Sequence, residues 1–285
     1  MNEYSVVERT AYNVADHRGR TDIPYAKEIA EISEAEKIRN IYASDEDEAE
    51  KLKRQKRMDV AFEARYKSIN KLIISKDIKN IVEIACGISP RGLELTKNPD
   101  IQYLGTDLEN MISRSQKIMS QVLESKGESR DNLDYQVADA LDSEASKRVV
   151  YGKFSEKPVT IVSEGLFIYE DDDERQRVIN NILEILKQNG GCWITTDLMN
   201  MPVFRSDTGK RSNFAENTDA NMTPLFNNPE EVIEYYNELG FDVECIPQSI
   251  IFDDLSSLQN IDDDKREIYR KGLSQSYAFM IEPKK

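Results

Sequence analysis

Apolar positions along this chain change rhythm several times, and each change marks an element. Between Asp45 and Ile74 the residues Val60, Phe62, Ala64, Tyr66, Ile69, Leu72 and Ile73 recur with roughly helical spacing, which predicts a long amphipathic helix. Thr10 to Ala15 and Tyr25 to Ala43 read as further helices upstream, the second with Ser33-Glu34-Ala35-Glu36 as a capping box. Past residue 76 short β-branched apolar runs take over, near 81–86, 101–106, 133–138, 159–163 and 191–197. Helical stretches separate them near 90–97, 109–126, 143–149 and 171–188. This alternation predicts a mostly parallel α/β sheet with helices on both faces. A helix near 229–239 ends at Gly240, a good residue to close it, and 241–252 and 276–282 read as two final strands. Residues 198–228 follow neither period but carry Met199, Met201, Phe204, Phe214, Met222 and Phe226. A connection this long inside a compact domain is expected to be a lid over a pocket. The expected division is therefore a helical cap, 1–76, and a core domain, 77–285, with the lid inserted in it.

The chemistry gathers at the ends of the strands. The first run closes in Glu83-Ile84-Ala85-Cys86-Gly87, and the second in Tyr103-Leu104-Gly105-Thr106-Asp107. A turn without bulky side chains lets backbone approach a ligand, and the helix that follows offers free N–H groups and a positive dipole end. Asp107 lies 20 residues after Gly87, where an acid can accept hydrogen bonds from a ribose diol. The turn lacks the G-x-G-x-x-G pattern of a pyrophosphate cradle. Glu83, inside an apolar strand, is costly unless paired, and suits a ligand with an ammonium group.

These residues resemble motif I of the class I S-adenosylmethionine-dependent methyltransferases, in particular the leucine carboxyl methyltransferase and polyketide O-methyltransferase group. Tyr103 to Glu109 is similar to that group's second-strand motif, Val137-Ala138-Asp139-Ala140-Leu141 to its third, and Ser163-Glu164-Gly165 to Tyr169 to its Glu-Gly-x-x-x-Tyr segment. Thr10-Ala11 and Arg18 resemble its opening helix. The resemblance implies a Rossmann-like seven-stranded sheet closed by an antiparallel last strand, with the N-terminal helices covering the cofactor. It implies S-adenosylmethionine as cofactor, with Arg18 at its carboxylate, Glu83, Ala85 and Gly87 at its methionine portion, Asp107 and Leu108 at the ribose, Asp139 and Ala140 at the adenine, and Glu164 completing the site. Arg65 and Arg91 are further candidates for the carboxylate. The chain departs from the group in two places. Gly105 stands where a Glu is usual, and Ile88-Ser89-Pro90 replaces a Gly-x-Asp-Thr pattern.

Composition narrows the functions. The net charge of −15 opposes nonspecific nucleic-acid binding. The one basic run, Lys51 to Arg57, follows the acidic run Asp45 to Glu50, and i,i+4 pairing is expected there. No 18-residue apolar stretch is present, so no membrane partner is expected, and three cysteines in strand-like runs read as buried thiols in a reducing cytoplasm. A single histidine, His17, rules out a His-rich metal site, and no metal is expected. The acid runs Asp171 to Asp173 and Asp262 to Asp264 lack Ca²⁺-loop spacing and read as charge at helix N-termini. The expected reaction is methyl transfer to a small-molecule oxygen, carboxylate or hydroxyl. Candidate bases are Glu164, Tyr169 and His17, the last expected at the surface. An NAD-dependent oxidoreductase of the same architecture and a non-catalytic cofactor binder are the rival readings. Nothing in the pattern fixes an oligomeric state.

Overall fold

The computed structural model describes residues 6–40, 47–199, 224–259 and 261–285. Seven strands form one sheet: β1 (Asn80–Ile84), β2 (Gln102–Asp107), β3 (Leu133–Val137), β4 (Val159–Ser163), β5 (Gly191–Thr195), β6 (Phe241–Pro247) and β7 (Tyr277–Pro283), in spatial order β3-β2-β1-β4-β5-β7-β6. The first five are mutually parallel, and β7 lies antiparallel between β5 and β6. The order reverses direction between β1 and β4, the place where ligands bind in open α/β sheets. Every residue of β4 is buried, as a parallel strand covered on both faces requires.

The period-two alternation sorts the strand residues between two cores. Ile81, Tyr103, Val162, Ile194 and Met280 face one side, where α1 (Val6–Arg18), α2 (Ala26–Ile32), α3 (Ala35–Asn40), α4 (Glu48–Ser75), α5 (Arg91–Leu95) and α6 (Glu109–Lys126) pack. Val82, Leu104, Ile161, Trp193 and Phe279 face the other, under α7 (Ser143–Phe154), α8 (Asp172–Asn189) and α9 (Pro229–Glu238). Trp193 anchors that second core, with the rings of Phe167 and Tyr236 each 6.0 Å away and edge-on. The start of α8 is fixed by a capping box: the Asp171 carboxylate accepts from the Glu174 N–H, and the Glu174 carboxylate accepts from the Asp171 N–H. The acid run there serves the helix N-terminus, as its composition predicts.

Several expectations are corrected. Tyr25 to Ala43 is not one helix. Glu34 takes a left-handed conformation (φ 52°), and the Ser33 N–H bonds to the Ile29 carbonyl at 2.9 Å while its hydroxyl donates back to Ala30. Ser33 therefore closes α2 instead of capping a following helix. The apolar run 241–252 is strand only to Pro247, and Gln248–Asp254 winds into a 3-10 helix. The two last strands are joined through that segment and α10 (Asp263–Ser274), whose first turn Asp262 to Asp264 marks. The apolar faces of Ile251, Phe252, Leu255, Leu258 and Leu273 meet Val60, Ala61 and Ala64 of α4. Lys51 and Lys53 pair with Glu48 and Glu50 at 2.8 and 2.7 Å, at i,i+3 instead of i,i+4. Cys86 and Cys192 are buried free thiols, whereas Cys245 is half-buried. Most of the expected lid, with Met201, Phe204, Phe214 and Met222, lies outside the described residues; its flanks Met199 and Phe226 pack on the Trp193 core. Among the described residues, no helix is long and apolar enough to cross a membrane.

Candidate active site

The tips of β1 to β5 carry an acid or a small-residue turn each. After β1 the backbone turns through Ala85 and Gly87, both left-handed at φ 52°, a conformation that costs a residue with a side chain about 1 kcal/mol or more. The Asp107 carboxylate holds this turn. One oxygen accepts from the Gly87 N–H and the other from the Leu108 N–H, each at 2.8 Å. Burial pushes the Asp107 pKa up, and those two N–H groups work against the rise. Each oxygen retains a further lone pair for a ligand hydroxyl. Beside it the apolar side chains of Leu108 and Val137 are 53% and 48% exposed. Asp139 is exposed and accepts from the Leu141 N–H at 2.9 Å, while the Ala140 carbonyl accepts from the Asn181 amide at 2.8 Å. Asp142, not Asp139, caps α7.

Glu83 shares its strand face with Ile81, so it points toward α4 and α5. There it accepts from Arg91 and from the Tyr103 hydroxyl. Arg91 spans to Glu164 at 2.7 Å and to the Asn70 amide oxygen at 2.8 Å. Glu164 also accepts from Arg65 at 2.6 Å and from Arg18. The resulting cluster joins α1, α4, α5, β1 and the β4 tip, with Arg91 wholly buried and Glu164 4% exposed at its side chain. The ring of Tyr66 lies between two of the cations, 4.9 Å from the Arg18 guanidinium and 4.7 Å from that of Arg91. Burial alone would raise the Glu164 pKa, but Arg18, Arg65 and Arg91 outweigh it and hold the carboxyl far below its usual range. Burial likewise opposes the charge of Arg91, and Glu83 and Glu164 more than offset it. Glu83, with fewer cations about it, is pushed up by burial.

The other base candidates are tied down. The Tyr169 hydroxyl donates to Thr10 of α1, and burial pushes its pKa up to about 12. His17 is 5% exposed, not at the surface; its Nδ1 pairs with Asp59 at 2.6 Å, and Arg20 also binds Asp59. Burial lowers the His17 pKa, against the pull of Asp59.

Comparison with known families shows what kind of protein carries these tips. The sequence fits the family described as leucine carboxyl methyltransferase over residues 6–183, more than half of the chain. The chain belongs to the leucine carboxyl methyltransferase family. Its fold is similar to that of a duf574 family protein from Streptomyces avermitilis, at 14% identity and a TM-score of 0.58, covering 96% of this chain and 97% of that one. It is also similar to the methyltransferase domain of bacterial CtHen1-C, at 10% identity and a TM-score of 0.50, covering 78% and 99%. No curated protein matches the chain by sequence.

This member of the leucine carboxyl methyltransferase family is an S-adenosylmethionine-dependent methyltransferase. Its strand tips fit the cofactor. Arg18 is 5% exposed, and its Nε–H is buried with no hydrogen-bond partner, a donor left for an acceptor from outside. Arg18, Arg65 and Arg91 gather at this end of the sheet, ion-paired with Glu83 and Glu164. The departure at Gly105 has a local cause: a Cβ there would lie 2.7 Å from the Tyr135 ring and 3.0 Å from Cys86 Sγ. Hollows of about 620 and 350 Å³, the first beside Ile268 and Arg270 and the second beside Tyr66 and Ile74, are lined by none of the strand-tip acids. Sequence reasoning missed Tyr66, Asn70 and Asp197 beside this cluster, and Asp59 as the partner of His17. For Asp197 a signal existed: it follows β5 as Asp139 follows β3 and Glu164 follows β4.

Proposed function

We propose that this protein transfers a methyl group to an oxygen of a small-molecule acceptor, and that the oxygen belongs to a carboxylate in preference to a hydroxyl. Bound S-adenosylmethionine supplies a methyl made electrophilic by its sulfonium. The chain then has to bind, orient and exclude water. In this reading Arg18, Arg65 and Arg91 receive the cofactor's carboxylate, Glu83 and the Gly87 turn flank its methionine portion, Asp107 holds the ribose, and Asp139 with Ala140 meets the adenine. The described cap helices, α1 to α4, close over them, with α1 pinned to the core through Thr10–Tyr169 and Arg18–Glu164.

The observation that carries the choice of oxygen is the state of the bases. Three arginines leave Glu164 a weak proton acceptor, the Tyr169 proton is held by burial, and the His17 ring is buried against Phe62. A hydroxyl acceptor would need one of these to take its proton. A carboxylate acceptor arrives without one. The test is transfer of a tritiated methyl group to a panel of carboxylic acids and phenols, followed by mild alkali. A methyl ester releases its label as volatile methanol, which this reading predicts. Label that resists alkali would identify an ether or amine product and overturn it.

A further inference from the structure

We infer that Asp197 is a positioning residue, setting the place of the Glu164 carboxylate and through it the arrangement of Arg18, Arg65 and Arg91; the inference rests on reading that cluster as the cofactor's methionine site. Glu164 opens a tight turn whose next two backbone N–H groups point the same way. One Asp197 oxygen accepts from the Gly165 N–H at 2.8 Å, and the other accepts from the Leu166 N–H at 3.0 Å. The two adjacent donors are matched by the two oxygens of one carboxylate. An amide offers one oxygen and sets its NH₂ against the second donor.

Asp197 is itself tied to the sheet. Its N–H donates to Thr195 Oγ1 at 3.1 Å, Ser163 Oγ donates to the same oxygen at 3.0 Å, and Trp193 Nε1 donates to Ser163 Oγ at 3.0 Å. Trp193, Ser163 and Thr195 are all wholly buried. The turn is thereby referenced to the rigid centre of the fold. Over its free side lies Arg65: a Cβ on Gly165, which sits at φ 79°, would be 3.4 Å from Arg65 Nη2. Glycine is thus needed for the backbone conformation, and a Cβ there would meet the guanidinium only at ordinary contact distance. Neither oxygen of Asp197 is hydrogen-bonded to the arginines; Arg65 feels its charge directly, while the positioning passes through the turn that carries Glu164.

Calorimetric titration with S-adenosylhomocysteine tests this on the full chain, in a cycle of wild type, Asp197→Asn, Glu164→Ala and the double variant. Asp197→Asn is expected to weaken binding at least tenfold in the wild-type background and less than threefold once Glu164 is gone. Amide exchange at Gly165 and Leu166 is expected to accelerate in Asp197→Asn. Should that variant fail to fold, Asp197→Ser keeps one acceptor and is read in the same way. Equal losses in both backgrounds would mean that Asp197 does not act through Glu164 and would overturn the inference alone. A wild-type protein that binds no S-adenosylhomocysteine would overturn the site reading as well.

Discussion

Glu164→Gln isolates the charge at the centre of the cluster. The substitution keeps the side chain's shape and removes one of the two carboxylates ion-paired with Arg18, Arg65 and Arg91. Exposed ion pairs contribute only about 0–1 kcal/mol, but the Glu164 side chain is 4% exposed and that of Arg91 is not exposed at all. Breaking a buried pair from one side costs about 3–5 kcal/mol, because the surviving charges stay buried. For a chain of this size each kcal/mol moves the thermal midpoint by roughly 2–4 °C, so the loss is on the order of 6–20 °C at pH 7. The pH dependence has a definite sign. The folded pKa of Glu164 is depressed, so its stabilisation is complete above the unfolded value of about 4.3 and fades as pH falls through the folded value. Thermal melts of both proteins at pH 7, 5 and 3 are the assay. The gap is expected to hold from pH 7 to 5 and to narrow at pH 3. A gap under about 2 °C at pH 7, or one that widens in acid, would refute the buried-cluster argument.

Other consequences can be measured separately. Burial, then Glu174 and Asp139, push the Glu170 pKa up to about 7; an acid raised in the folded state loses stability as pH climbs from its unfolded value through its folded one. Glu170→Gln should therefore melt above wild type at pH 8 and level with it at pH 4.5, and no difference at pH 8 would contradict this. Gly105→Ala should lower the urea midpoint by an equivalent of about 1–3 kcal/mol through overpacking against Tyr135, and the loss should shrink when Tyr135→Leu is added. Asp59→Asn should destabilise the chain and weaken S-adenosylhomocysteine binding, since His17 and Arg20 fix the end of α1 that carries Arg18; unchanged affinity would show α1 to be held by its other contacts. Lys51→Ala, by contrast, should change stability by under about 0.5 kcal/mol, its partner Glu48 being exposed.

What could be read in advance followed from locality. β-branched runs such as Val159 to Ser163 read as buried strands, and the turn after Ile84 and the acid at Asp107 announce themselves by spacing. Spacing alone makes Asp107 a candidate ribose ligand, but does not show it as the clamp on the Gly87 turn, since that contact joins residues 20 apart. The charged cluster was legible only in pieces. Arg18, Arg65, Glu83, Arg91 and Glu164 lie on five separate elements, and nothing local tells an arginine destined for the interior from one at the surface. His17 went wrong for the same reason, its partner Asp59 being 42 residues away. The break at Ser33 and Glu34 and the 3-10 turn after Pro247 were lost because tertiary packing on α4 overrides a short apolar period there.

The central claim is that the tips of β1 to β4 hold S-adenosylmethionine, and calorimetric titration with S-adenosylhomocysteine tests it most directly, with NAD in parallel and Asp107→Ala as control. The account predicts one-to-one micromolar binding of S-adenosylhomocysteine, lost in the variant, and no heat with NAD. Absence of binding to the wild type, or binding that survives Asp107→Ala unchanged, would contradict it.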